Sequence, residues 1–244
     1  KVISRRAAME LKPGSIINLG VGVPEGIANI AAEEGCADLI TMTSESGAVA
    51  GVPLGGKAFG AVQNAWAVVE QEIQFDFYNG GGLDVSYLGL AETDEIGNVN
   101  VSKFGTGVTG AGGFINISQT TPNLVYCGTF TAGGLKEEIK DGKLTIVQEG
   151  KSKKFIKKVQ QITFSGEFGA ETGQNVLYVT ERAVFKLVKG GLQLIEIAPG
   201  VDLHKDILEQ MEFAPIIKED ELKEMDARLF TDAPINLRET MLNK

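Results

Sequence analysis

The chain has one histidine, one tryptophan and two cysteines in 244 residues. With a single histidine, any serine or cysteine nucleophile that relies on an imidazole base has to run through His204. That residue follows Pro199-Gly200-Val201-Asp202 at the start of an expected helix, a setting that suits a solvated side chain better than a catalytic base. Cys36 and Cys127 lie far apart among apolar or small neighbours, so they read as reduced, buried thiols of a cytoplasmic protein rather than a disulfide framework. Nothing has the Cys/His spacing of a zinc site. No apolar run approaches the ~18 residues of a membrane span, and no signal peptide is visible. Positive charge is short too: 23 Lys and Arg against 32 Asp and Glu give a formal charge of −9. That balance argues against a nucleic-acid surface and means that an anionic ligand needs a local cationic site. The sequence starts at Lys1 rather than at methionine, as expected of a processed chain or a fragment.

Glycine is what the chain has in excess. Its 31 residues stand well above the ordinary share of ~7%, and they fall in clusters between apolar runs, where turns and close backbone approaches are made. A hydrophobic content of 43% is enough for a substantial core, and the length suits one domain. Helices are expected over Val2 to Leu11, stopped by Lys12-Pro13-Gly14, and over Ile27 to Glu34. Strands are expected at Ser15 to Gly20, Asp38 to Ser44, Val85 to Ala91, Asn123 to Phe130, Val176 to Thr180, Ala183 to Val188 and Leu192 to Ile197. Strand, glycine turn and helix in succession make an α/β unit. Lys140-Asp141-Gly142-Lys143 is a hairpin-like turn between a short helix and Leu144 to Gln148. The basic run from Lys151 to Lys158 reads as a solvated amphipathic edge that is also able to meet phosphates. Val201 to Met211 reads as a closing helix, and the tail 213–244 as polar and peripheral. No internal repeat or linker-like stretch divides residues 1–244.

Ser44-Glu45-Ser46-Gly47 carries the chemical signal. An acidic residue sits where the strand from Asp38 breaks into glycines, and ligands of open α/β sheets gather beyond the carboxyl ends of strands. Small neighbours let a substrate carbonyl and backbone N–H groups reach such a carboxylate together. An exposed turn glutamate is the plain alternative. Gly20-Val21-Gly22 falls short of a dinucleotide fingerprint, because Gly26 comes one residue late and no acidic partner follows, so a dehydrogenase ranks low.

Six elements in order resemble the C-terminal, catalytic half of the family I coenzyme A transferases, and more closely those that act on short-chain acyl-CoA such as acetyl- and propionyl-CoA. They are Asn18-Leu19-Gly20-Val21-Gly22-Val23-Pro24, Ser44-Glu45-Ser46-Gly47, Gly81-Gly82-Leu83-Asp84 with Leu88-Gly89, Gly112-Gly113, Thr180-Glu181-Arg182-Ala183-Val184-Phe185, and Leu194-Ile195-Glu196 with Gly200. Many relatives carry Glu-Asn-Gly at the nucleophile, where this chain has Glu-Ser-Gly. The resemblance implies an α/β fold with an open, mostly parallel sheet flanked by helices. It implies ping-pong transfer through a glutamyl-CoA thioester on Glu45, with the backbone N–H groups of Gly112 and Gly113 as oxyanion donors. Gly55 and Gly56 are a second choice for that role, Gly81 and Gly82 shape a turn or the wall along which pantetheine passes, and Lys103 or the 151–158 run meets the CoA phosphates. Coenzyme A is then substrate and covalent intermediate, with no metal and no permanently bound cofactor. The expected partners are an N-terminal half, fused or separate, and further copies in a homo-oligomer. Two rivals remain: an acyl-CoA hydrolase using the same glutamate, and a ligand-binding module in which Glu45 only touches an effector.

Overall fold

The computed structural model describes residues 1–243. Its main sheet is built from β1 (Ile16–Leu19), β2 (Thr41–Thr43), β3 (Ala48–Val49), β4 (Ala67–Val68), β5 (Val85–Gly89), β6 (Asn123–Cys127), β7 (Asn175–Val179), β8 (Ala183–Val188), β9 (Gly191–Ile197), β10 (Ile216–Ile217) and β11 (Lys223–Glu224). The order across it is β10-β9-β8-β7-β6-β5-β1-β2-β3-β4, with β11 also pairing β9. The five central strands β2, β1, β5, β6 and β7 are parallel, and antiparallel hairpins extend the sheet at both sides. The strand after β1 lies on one side of it and the next parallel strand on the other. The connections therefore diverge between β1 and β5, the switch point where open α/β sheets form a crevice.

Alternation along the central strands divides the core in two. Val85, Tyr87, Val125, Cys127, Leu177 and Val179 face α1 (Val2–Ala8) and α2 (Gly26–Glu33) on one side. Leu88, Leu124, Tyr126, Val176 and Tyr178 face the other layer, with Tyr78 of α3 (Gln71–Asn79) and Phe114 and Ile117 of α4 (Phe114–Thr120). Both cysteines are buried and free. Among the described residues no helix is long and apolar enough to cross a membrane.

Three expectations are corrected. The segment before Asp141 is a strand, Lys136–Lys140, paired with Lys143–Gln148, because Asp141 and Gly142 both take positive φ (52° and 75°) and close a tight two-residue hairpin. The run from Val201 to Met211 is a wide turn, Leu203–Ile207, followed by one tight turn, with Ile207 at φ −120°, ψ −68° breaking any regular helix. The tail is not peripheral. Met225, Leu229, Phe230, Ile235, Leu237 and Met241 join the core beside α1 and α2. Arg5 of α1 also donates to the carbonyls of Arg228, Thr231 and Ala233, and the tail N–H groups of Ile235 and Leu237 donate to Glu34.

Candidate active site

The strand β2 ends at Thr43, and the chain reverses at once into β3. Ser44 N–H donates to Ala48 O at 2.9 Å, and Gly47 N–H donates to Ser44 O at 3.0 Å, closing a turn with Glu45 and Ser46 at its centre. Gly47 has φ 102°, and a side chain there would overlap the Val69 carbonyl, so glycine is required twice over. Glu45 is thereby fixed at the carboxyl edge of the parallel strands.

The structure brings Glu45 and Gly113 together. A Cβ on Gly113 would lie 2.8 Å from Glu45 Cδ and collide with Oε2, and would also lie 2.8 Å from the Phe75 ring. Gly113 has an ordinary φ of −79°, so space and not backbone freedom demands glycine here. Its N–H faces the carboxylate from the N-cap of α4. Burial raises the Glu45 pKa above the usual carboxylate value, and the Gly113 N–H works against that rise. Gly112 has φ +53° with open space where a Cβ would stand, so it supplies the left-handed turn that presents Gly113.

A pocket of about 220 Å³ opens beside the carboxylate, with Asn18, Leu19, Ser44, Leu54, Phe59 and Gln71 among its walls. The loop from Leu54 to Ala61 roofs it. Ser44 and Ser46 hydroxyls both donate to Gly60 O, at 3.1 and 2.6 Å, which ties the roof to the turn that carries Glu45. Below lies a buried polar cluster that sequence reading missed. Tyr78 O–H donates to Thr43 Oγ1 at 3.0 Å and accepts from Gln74 Nε2 at 2.9 Å and Asn18 Nδ2 at 3.4 Å. Thr43 Oγ1 passes its own proton to Ile17 O at 2.8 Å. Burial raises the Tyr78 pKa, so the phenol stays protonated and acts as donor. Asn18 Oδ1 is buried beside this pocket without a hydrogen-bond partner among the described residues. The only sequence signal was Gln74 and Tyr78 at helical spacing before a glycine cluster.

The other expected residues are dispersed. Gly55 and Gly56 lie in the roof, but Gly56 N–H is taken by Glu25 Oε2 at 3.0 Å, while Glu25 Oε1 accepts from Gly22 N–H at 2.7 Å. Glu25 thus clips the roof to the loop after β1, and Gly56 has no free donor for an oxyanion. Gly81 and Gly82 lie apart from Glu45. They end α3 through N–H bonds to Tyr78 O and Phe77 O, and they lead into the amino end of β5, the opposite edge of the sheet. Lys103 stands half-buried on the hairpin Lys103–Phe104/Gly107–Val108 that leads to Gly112, with no ion-pair partner among the described residues. The 151–158 run is not a uniform solvated edge, since Lys154 and Phe155 are buried. His204 is exposed.

Residues 1–209 match the Coenzyme A transferase family. The chain belongs to that family. Acetate CoA-transferase YdiF of Escherichia coli K12 is 55% identical over 233 residues, covering 96% of this chain and 44% of the relative. Caffeate CoA-transferase of Acetobacterium woodii is 54% identical over 237 residues, covering 95% and 45%. The chain therefore spans about half the length of these relatives. A crystal structure of the E. coli O157:H7 acyl-CoA transferase YdiF as a thioester complex with CoA superposes with a TM-score of 0.91 at 53% identity, over 96% of this chain and 44% of that one. The β subunit of an E. coli K12 acetate CoA-transferase is 30% identical over 212 residues and is matched over 86% of its own length.

Proposed function

We propose that this chain is the thioester-forming half of a CoA-transferase that exchanges coenzyme A between short-chain acyl-CoA and free carboxylates, with Glu45 as nucleophile. The observation that carries the reading is the meeting of Glu45 with the Gly113 N–H at the carboxyl edge of the sheet. The carboxylate oxygen attacks the thioester carbonyl, and the C–S electrons leave with the CoA thiolate, giving an acyl-glutamyl anhydride. The thiolate then attacks the glutamyl carbonyl and expels the original acid as its carboxylate, leaving a glutamyl-CoA thioester. An incoming carboxylate reverses both steps. No proton has to be moved at any stage, which suits a site without histidine. Each tetrahedral intermediate carries an oxyanion, and the Gly113 N–H is placed to stabilise it. Burial of Glu45 also favours attack, because a carboxylate stripped of water and with a raised pKa is the better nucleophile.

An N-terminal half, fused or separate, is the expected partner, because this chain covers only 44% of the longer relative. The test is an acceptor panel. Wild-type protein consumes acyl-CoA in step with added acetate or propionate and releases little free CoA without them, and Glu45→Ala does neither. Rapid CoA release without an acceptor contradicts transfer and points to hydrolysis.

A further inference from the structure

A second pocket of about 270 Å³ opens on the same edge of the sheet, between Val21 after β1, Gly89 at the end of β5 with Ala91 beyond it, Cys127 at the end of β6 with Thr129 beyond it, and Lys154. It lies at the switch point between β1 and β5, one strand along from the β2 turn that bears Glu45. Its walls are aliphatic or small except for one cation. Lys154 is 8% exposed, and its ammonium donates to Thr129 O at 2.7 Å. An ammonium has three protons, and among the described residues no other acceptor takes the remaining two.

Among the described residues no carboxylate forms an ion pair with it. Glu181 lies near enough to favour its charge, but both Glu181 oxygens are committed, one to Arg182 Nε at 2.7 Å and the other to Phe130 N–H at 2.8 Å. Arg182 is held in turn by Glu149, and Cys127 in the pocket wall is kept a neutral thiol by burial. Glycine at 128 keeps the ammonium's space clear. A Cβ there would stand 2.7 Å from Lys154 Nζ and 2.5 Å from Leu90 O, and Gly128 does not have the positive φ that would explain a glycine by backbone freedom alone. Desolvation lowers the Lys154 pKa to about 8, as befits a buried cation awaiting a counterion. In a chain with a formal charge of −9, such an isolated cation is a local attractor for anions.

We propose that this pocket is an oxyanion subsite in which the Lys154 ammonium binds a carboxylate or phosphate group of the ligands handled at Glu45. The identity of those ligands rests on the transferase reading, but the existence of the subsite does not. Two sources share this chemistry, the free carboxylate acid and the phosphates of coenzyme A. An acidic side chain from an accompanying protein half would use the same cation without any ligand.

The test uses the protein as its host makes it. The Lys154 ammonium is titrated by NMR, assigned by its loss in Lys154→Arg, alone and with saturating propionate or inorganic phosphate. One of the two probes raises the titration midpoint above 8, and its affinity falls about tenfold between pH 7.5 and 9 as the free ammonium deprotonates. In turnover, Lys154→Met raises KM about tenfold or more, for the carboxylate acceptor if propionate was the effective probe or for acyl-CoA if phosphate was, with kcat changed much less. A titration that neither probe moves, together with unchanged KM values, overturns the proposal. So does a Lys154→Met protein that only loosens its association with the rest of the molecule. If Lys154→Met does not fold, the wild-type titration decides alone. A protein that shows the probe effect yet transfers no CoA retains the subsite and loses the transferase reading.

Discussion

At the scale of single residues, glycines and two ionisable groups divide the work. Glu45 stood out in the sequence as a carboxylate between small residues at a strand end, and its role as nucleophile is the proposal that the adduct measurement tests. Its partner was legible only through the resemblance, since no spacing rule ties residue 45 to residue 113, and the contact exists because α4 starts above the β2 turn. Gly113→Ala drives a methyl group into the Glu45 carboxylate and is expected to slow CoA transfer by about 10²–10³, the scale of losing an oxyanion donor. Gly112→Ala meets no neighbour and is expected to destabilise by about 1 kcal/mol through its positive φ, with a far smaller loss of rate. Steady-state kinetics and melting of the pair separate the two roles, and equal rate losses would contradict them. Lys154 was illegible, because its neighbours Lys151, Lys153, Lys157 and Lys158 are exposed and the run looked uniform. The bond from Thr93 N–H to Lys154 O at 2.8 Å holds that stretch against the segment that follows β5. Its folded pKa, about 8, lies below the unfolded value of 10.5, so the buried charge weakens the fold fully below pH 8 and is relieved as pH rises between those values. Stability contributed through Lys154 therefore rises by about 2 kcal/mol from pH 8 to 10. Denaturant unfolding of wild type against Lys154→Met across that range isolates it from the tyrosines and cysteines, whose raised pKa values act in the opposite sense. A pH-independent difference between the two proteins would contradict it.

At the scale of elements, the parallel strands were readable because their apolar runs are continuous, and their parity sorts residues cleanly between two layers. The failures have local causes. Lys136–Lys140 is rich in charged residues that suit a helix, yet Asp141-Gly142 forces a hairpin and pairing overrides propensity. The unforeseen feature is the Tyr78 cluster, which fastens α3 to β1 and β2 under the turn that carries Glu45. Tyr78→Phe leaves Gln74 Nε2 and the Asn18 amide without their shared acceptor in a buried setting. It is expected to lower stability by about 1–3 kcal/mol. Chemical denaturation reads that loss, and a variant as stable as wild type would show that the cluster is dispensable.

At the scale of the whole molecule, the active edge and the tail are on the same chain for different reasons. The carboxyl ends of β1, β2, β5 and β6 gather the Glu45 pocket and the Lys154 pocket side by side, while the tail from Phe213 to Asn243 closes the core on the layer of α1 and α2. The tail looked peripheral because its apolar residues are scattered among many charged and polar ones, and only the folded chain shows that six of them are buried in the core. Losing one such large side chain typically costs about 2–5 kcal/mol, so losing Met225, Leu229, Phe230, Ile235, Leu237 and Met241 together removes stabilisation on the order of the whole ~5–15 kcal/mol that holds a domain folded, or more. A chain ending at Glu212 should show no cooperative thermal transition by circular dichroism, and a retained sharp transition would place the tail outside the fold.

The central claim is that Glu45 forms a covalent thioester with coenzyme A. The direct measurement is mass spectrometry of the peptide containing Glu45 after incubation with acyl-CoA, with hydroxylamine treatment as the chemical check. The expected result is a CoA adduct on Glu45 in wild type that hydroxylamine removes and that is absent from Glu45→Ala. An unmodified Glu45 peptide from protein that is turning over acyl-CoA would contradict it.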